Sequence, residues 1–318
     1  MQGIKRIGIF ALILALLFTM GCARKEEPTP EAADAPMNLY ASFYPLYAIA
    51  DMLIEGTDVR LNCLVQPQDG CLRAYTLSDW DLALLNSSAD AVIIGGCGLE
   101  SFESVLYALG DGGPAVAAVF YDMELLEQKA VNTSEDTDSH WSGANPHIYM
   151  SIDGALEIAQ RIAATLVMLD SEHEAIYSKN LENTQNRLRS LQETIENKLS
   201  GSRKRRVIVM NEALVYAAKE YGLKVDLYYE RESGENIEGY DLDSCLDTLN
   251  ASDSRIVLIE KQAPQSLVNA LREAGFILAL MDTMSTRRAD EGADGYIEAH
   301  MENVQALTEA FEEAASVL

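Results

Sequence analysis

The residues able to do chemistry stand just past apolar runs. Arg73 lies in the polar stretch LVQPQDGCLRAY, Asn211 and Glu212 follow RVIVM, Asp282 follows FILALM, and His147 sits in ANPHIYMS. Imidazole and carboxylate are donors for transition metals, and a carboxamide oxygen such as that of Asn211 suits harder ions. Pro146 fixes its own φ and biases Asn145 toward an extended shape, which puts the His147 imidazole on a stiff turn; the alternative is a structural histidine bonded to backbone. Arg73 is different in kind. A guanidinium stays charged, has no lone pair to donate and repels cations, but it grips carboxylate or phosphate in two-pronged fashion. Arg73, Asn211 and His147 therefore allow a second chemistry, an anion or a metal chelate in place of a bare cation.

Neighbours widen the donor set. Glu212 either turns inward or sits as a solvated carboxylate favourable to a helix N-terminus. His140, in the acidic loop NTSEDTDSHWSG, and Cys71, two residues before Arg73, carry further donor atoms suited to zinc; the alternatives are an exposed loop histidine and a thiol taken up by a disulfide with Cys63. Asp282 reads as a ligand, as a helix N-cap ahead of Thr283, or as a partner for Arg73. Glu100 and Glu260 read as caps or supporting groups, His173 and His300 as surface residues, and Trp80 and Trp141 as packing residues. No GxSxG elbow, Walker loop or HExxH helix is present, so an enzyme is not expected.

These residues need elements to hold them. Short β-rich runs occur at LYASFY, VRLNCLV, AVIIGG and AVAAVFY, and again at RVIVM, LKVDLYY, RIVLIE and FILALM, each set interleaved with helix-like stretches. Such alternation predicts an α/β fold of two Rossmann-like lobes with parallel sheets and a ligand cleft at the carboxyl ends of the strands. Gly222 and Gly275 stand where helix C-caps belong. Between the lobes, apolar residues recur at helical spacing from Ala155 to Leu199, and residues 172–199 would span roughly 40 Å as one helix. A long rigid backbone helix joining the lobes is the reading, with coiled-coil dimerisation as the alternative. The segments are 1–22, 23–37, 38–150 for the first lobe, 151–200 for the linking helices and 201–318 for the second lobe.

Composition limits the partners. With 24 Lys and Arg against 50 Asp and Glu, the net charge of -26 excludes a basic surface for nucleic acid. At the N-terminus Lys5 and Arg6 precede the apolar run IGIFALILALLFTM, which is too short and too early for a comfortable spanning helix. Gly21 and Cys22 close it in a pattern that resembles the lipobox of bacterial lipoproteins, with Thr19 where that pattern prefers Leu. The resemblance implies lipid attachment at Cys22, and ARKEEPTPEAADAP reads as a flexible tether. Outside the cytoplasm a Cys63 to Cys71 disulfide is permitted.

Across essentially the whole mature chain, SFYPLYAIADMLIEG, the LVQPQDG loop with Tyr75, SADAVIIGGCGLESF, NPHIYMS, RVIVMNEALVYAAKEYGL and the late Leu-Met-Asp resemble the zinc/manganese ABC-transporter solute-binding proteins. The resemblance implies a cleft holding zinc or manganese on His147 and Asp282. It also implies a lipid-anchored monomer on the extracytoplasmic face of the cell membrane, partnered by an ABC permease and its ATPase. The family's first-lobe His position holds Arg73 here, and its third ligand position holds Asn211. The alternatives are a scaffold turned to an anion or chelate through Arg73, or a surface adhesive role.

Overall fold

The computed structural model describes residues 36–67, 71–127, 130–132 and 144–317. Cys22, His140 and Trp141 lie outside the described residues. Residues up to Pro36 group apart from Met37–Leu318, and the fold below is that of the second group.

The expected β-rich runs form eight short strands: β1 Asn38–Ala41, β2 Arg60–Cys63, β3 Ala91–Ile94, β4 Ala115–Ala118, β5 Arg206–Val209, β6 Lys224–Tyr228, β7 Ile256–Glu260 and β8 Ile277–Met281. They pair in parallel as two four-stranded sheets, ordered β2-β1-β3-β4 and β6-β5-β7-β8. Strands β3 and β7 are buried along their whole length, because helices cover both faces of a parallel sheet and leave no solvated side. In each sheet the chain first adds a strand on one side and then crosses to the other. This creates a switch point between β1 and β3 and between β5 and β7, where loops diverge and a crevice opens.

Nine α-helices lie among the described residues: α1 Tyr44–Ile54, α2 Asp79–Ser88, α3 Glu103–Tyr107, α4 Ile152–Leu169, α5 Glu174–Lys198, α6 Ala213–Glu220, α7 Gly239–Asn250, α8 Gln265–Glu273 and α9 Gly292–Val317. Ser78 and Asp81 cap α2 reciprocally, and the Ser151 hydroxyl accepts the Gly154 N–H to start α4. Gly222 and Gly275 take positive φ, +68° and +85°, just after α6 and α8, a conformation costly to any residue with a Cβ.

The long helix expected over residues 172–199 is α5, roughly 37 Å at 1.5 Å per residue. Its buried side chains, Tyr177, Asn180, Thr184, Leu188, Leu191 and Ile195, follow a three-four spacing and face α4 and α1. Asn180 donates to the carbonyls of Leu53 and Glu55 at 2.9 and 2.8 Å, satisfying acceptors that the end of α1 leaves open. No described helix is long and apolar enough to cross a membrane.

Helix α9 packs on β8 of the second sheet and on α1 of the first half, so it ties the two halves together alongside α5. Tyr44 donates to the Gly292 carbonyl at 2.7 Å and Tyr296 to that of Tyr149 at 2.6 Å, both across the halves. On α9 sits His300, expected at the surface but fully buried, its ring against Tyr221 and Tyr296. EAHMEN looks polar, but the helix has two covered faces, one per lobe, and His300 lies on one of them. Burial disfavours the charged imidazole and pushes the His300 pKa down to about 4. The folded state therefore binds fewer protons than the unfolded chain, whose His titrates near ~6.5. His300 stabilises fully above about pH 6.5, and its contribution falls away as pH drops toward 4, by on the order of 3 kcal/mol. Melting curves of His300→Gln should be flatter over that window than those of the wild type; parallel curves would refute the assignment.

Two other expectations change. Trp80 is 75% exposed, standing on the outer face of α2 instead of packing. Cys63, Cys71, Cys97 and Cys245 are all free thiols, so the permitted Cys63 to Cys71 disulfide does not form.

Candidate metal site between the strand ends

The site is built from loops at the carboxyl ends of both sheets. After β5 the chain turns at once into α6, and Asn211 and Glu212 occupy that turn. The Asn211 side chain is used locally: Oδ1 accepts the Ala213 N–H at 2.9 Å and Nδ2 donates to the Ser233 hydroxyl at 2.9 Å. Glu212 points inward, its side chain only 6% exposed. Its Oε2 accepts from Arg73 Nη1 at 3.2 Å and lies 3.3 Å from His147 Nδ1, while its buried Oε1 has no hydrogen-bond partner. An unsatisfied buried carboxylate oxygen is costly and calls for a cation or a donor.

His147 is held by Asn145, a residue sequence reading used only for its backbone. Asn145 Oδ1 accepts the His147 backbone N–H at 2.9 Å and lies 3.2 Å from Nδ1, while its Nδ2 donates to the Glu212 carbonyl at 2.9 Å. Tyr216 on α6 donates to the Asn145 carbonyl at 3.0 Å, so the turn after the first sheet is pinned to the second. With two oxygen acceptors facing Nδ1, a proton on that nitrogen is the one the surroundings can accept. An Asn preceding Pro-His, able to bond its own backbone two residues on, was the available signal.

Arg73 is in the turn Leu72–Ala74, and its Nε donates to the Gly98 carbonyl at 3.1 Å. That carbonyl is fixed from below. Glu100, buried, accepts from the Ser42 hydroxyl and the Gly95 and Gly96 N–H groups at 2.7 to 2.9 Å, tying the β1 end to the β3 turn. Burial raises the Glu100 pKa and these three bonds oppose it. Glu100 is thus a supporting group, in keeping with its expected role.

A cavity of about 50 Å³ opens between the two sets of loops, with Cys71, His147, Asn211, Glu212, Glu230 and Glu232 on its walls. Glu230 and Glu232 were missed by sequence reading, although they follow LKVDLYY at a strand end like the residues that were found. Burial, then the charges of Glu212 and Glu232, push Glu230 up to about 8 against the pull of Arg73 and Arg231, so it holds a proton at neutral pH. Burial, aided by Glu232, pushes the Cys71 thiol up to about 12.

Asp282 is 2% exposed and already engaged. Its oxygens accept from the Met284 N–H and Lys261 Nζ, both at 2.6 Å, and from Arg287 Nε at 2.8 Å. It caps no α-helix, and its cationic partners are Lys261 and Arg287; Arg73 pairs with Glu212 instead. Tyr75 packs edge-on against Phe102, and neither it nor Asp282 lines the cavity. The structure thus brings Arg73, His147 and Glu212 into one cluster beside Asn211, with Asp282 one contact behind the cavity wall through Met284 and Arg287 and Tyr75 packed on Phe102. Among the described residues no three His, Cys, Asp or Glu converge tightly enough to cage an ion.

Two all-parallel α/β halves joined by a long helix, with a charged cavity between their strand-end loops, define the class of two-lobed solute-binding proteins. The family model described as zinc-uptake complex component A, periplasmic, matches residues 39–310. The chain belongs to that family. The high-affinity zinc uptake system protein ZnuA of Bacillus subtilis (strain 168) is 21% identical over 319 residues, covering 95% of this chain and 97% of that protein. Among solved structures, the solute-binding protein FpvC of Pseudomonas aeruginosa in complex with Mn2+ aligns with a TM-score of 0.73 at 22% identity, over 88% of this chain and 100% of that one. Zn(II)-bound AdcA of Streptococcus pneumoniae aligns at 0.70 and 20% identity, over 87% of this chain and 58% of that one.

Proposed function

We propose that this chain is the extracytoplasmic, lipid-anchored capture component of an ABC importer, taking a divalent metal ion, zinc or manganese, between its lobes and passing it to the permease and its ATPase. The observation that carries this reading is Glu212. It is a carboxylate buried at the cavity wall with one oxygen unpartnered, next to the His147 imidazole on the same wall. In this reading Glu212 takes the place that Asn211 cannot fill, with both Asn211 side-chain atoms committed to their neighbours. The remaining donors come from Cys71, Glu230 and Glu232 on the same walls and from His140. Asp282 joins only by giving up Lys261 or Arg287.

Family membership and acidic balance support a cation as the cargo. The anion or chelate reading has less support, because the guanidinium it depends on is already bound to a carboxylate and a carbonyl. Calorimetry with ZnCl2 and MnCl2 on the chelator-stripped, reduced protein in phosphate-free buffer should give one-to-one binding that His147→Ala abolishes. A folded protein that binds neither ion would refute the proposal.

A further inference from the structure

Arg73 lies after β2 in the first half, Glu212 after β5 in the second, and their ion pair spans the cleft with side chains 14% and 6% exposed. The pair is anchored at both ends. Nε is held by the Gly98 carbonyl, itself set by the Glu100 turn, and the Glu212 backbone is held by Asn145. A guanidinium on Glu212 Oε2 neutralises the carboxylate that the proposed site depends on most. It also sets a positive charge within a few ångströms of any ion held by that carboxylate.

Resting on the metal-capture reading, we infer that Arg73 is a tethered cation competing with the metal for Glu212, and so a specificity-determining residue that sets how tightly the site holds a divalent ion. Metal binding then requires the guanidinium to leave Oε2, or to stay and repel the ion; either weakens binding by Coulomb's law in a poorly solvated site. The halves themselves need not separate. Tyr44, Tyr216 and Tyr296 bond across them through contacts other than this ion pair, which leaves the exchange to the Arg73 side chain and its turn. Glu212 is thus paired with the protein's own charge before an ion arrives, and an incoming dication must outcompete it.

The test is a zinc titration, against a competing chelator, of the chelator-stripped, reduced wild type, Arg73→Gln and Arg73→Ala, with circular dichroism confirming the fold of each. The expected result is zinc affinity raised at least about tenfold in both variants, accompanied in the metal-free state by faster amide hydrogen exchange around residues 71–75. Binding by the variants alone would overturn zinc capture by the native chain, and with it the inference that rests on it. Wild-type binding that neither variant exceeds would overturn the competition while leaving metal capture standing. Binding by none of the three would overturn metal capture, and the competition with it.

Discussion

Replacing Glu260 with Ala should destabilise the protein by about 3–5 kcal/mol, a fall in Tm of roughly 6–20 °C. Glu260 ends β7 and is fully buried; its carboxylate pairs with Arg231, whose side chain is 1% exposed. Arg231 also donates to the carbonyls of Glu232 and Glu235, and Gly234 N–H donates to Glu260 at 3.1 Å. Removing the carboxylate leaves a guanidinium buried without its counter-charge, which costs far more than the pair itself contributes. The double variant Arg231→Met/Glu260→Leu should recover most of the loss, because it removes the charge along with its partner. A single variant that melts within a degree or two of the wild type would show that the pair is solvated, contrary to this account. The effect reaches the cavity as well. The same bonds hold residues 230–235, so a loosened loop would misplace Glu230 and Glu232.

Zinc binding should weaken by more than about 100-fold in Glu212→Gln, since replacing only the groups that orient a metal's ligands already costs ~10 to 100-fold. The substitution keeps the side chain's shape and removes its charge. Asn145 bonds the Glu212 backbone carbonyl, so the turn that positions His147 survives. Manganese should suffer at least as much, being the harder ion and the more dependent on carboxylate oxygen. Undiminished affinity in this variant would move the site away from Glu212 and toward Asp282, with Lys261 and Arg287 then having to release it.

Much of this was legible in the chain itself. Runs such as RVIVM and RIVLIE are short, apolar and separated by helical periods, and a chain of that pattern buries its apolar groups only as parallel strands between helices. The three-four spacing from Tyr177 to Ile195 fixed the joining helix, and a polar residue after each strand marked the cleft because loops at those ends meet solvent and ligand alone. The family resemblance marked Arg73 as an anomaly, a residue unable to donate to a metal standing at a ligand position.

Partnership was decided only in three dimensions. Asn211 and Glu212 are adjacent, and sequence cannot say which turns inward; the Ala213 N–H and Ser233 claim the amide and leave the carboxylate facing Arg73 and His147. Asp282 and Arg73 look like partners, but Arg287, five residues on, and Lys261 at the neighbouring strand end reach Asp282 first. His300 and Trp80 exchanged their expected places because helix faces are covered or bared by packing between distant segments. Spacing fixes which residues share a strand end or a helix face, whereas the pairing of charges depends on distances between segments some 139 residues apart, as for Arg73 and Glu212, and only the folded chain sets those.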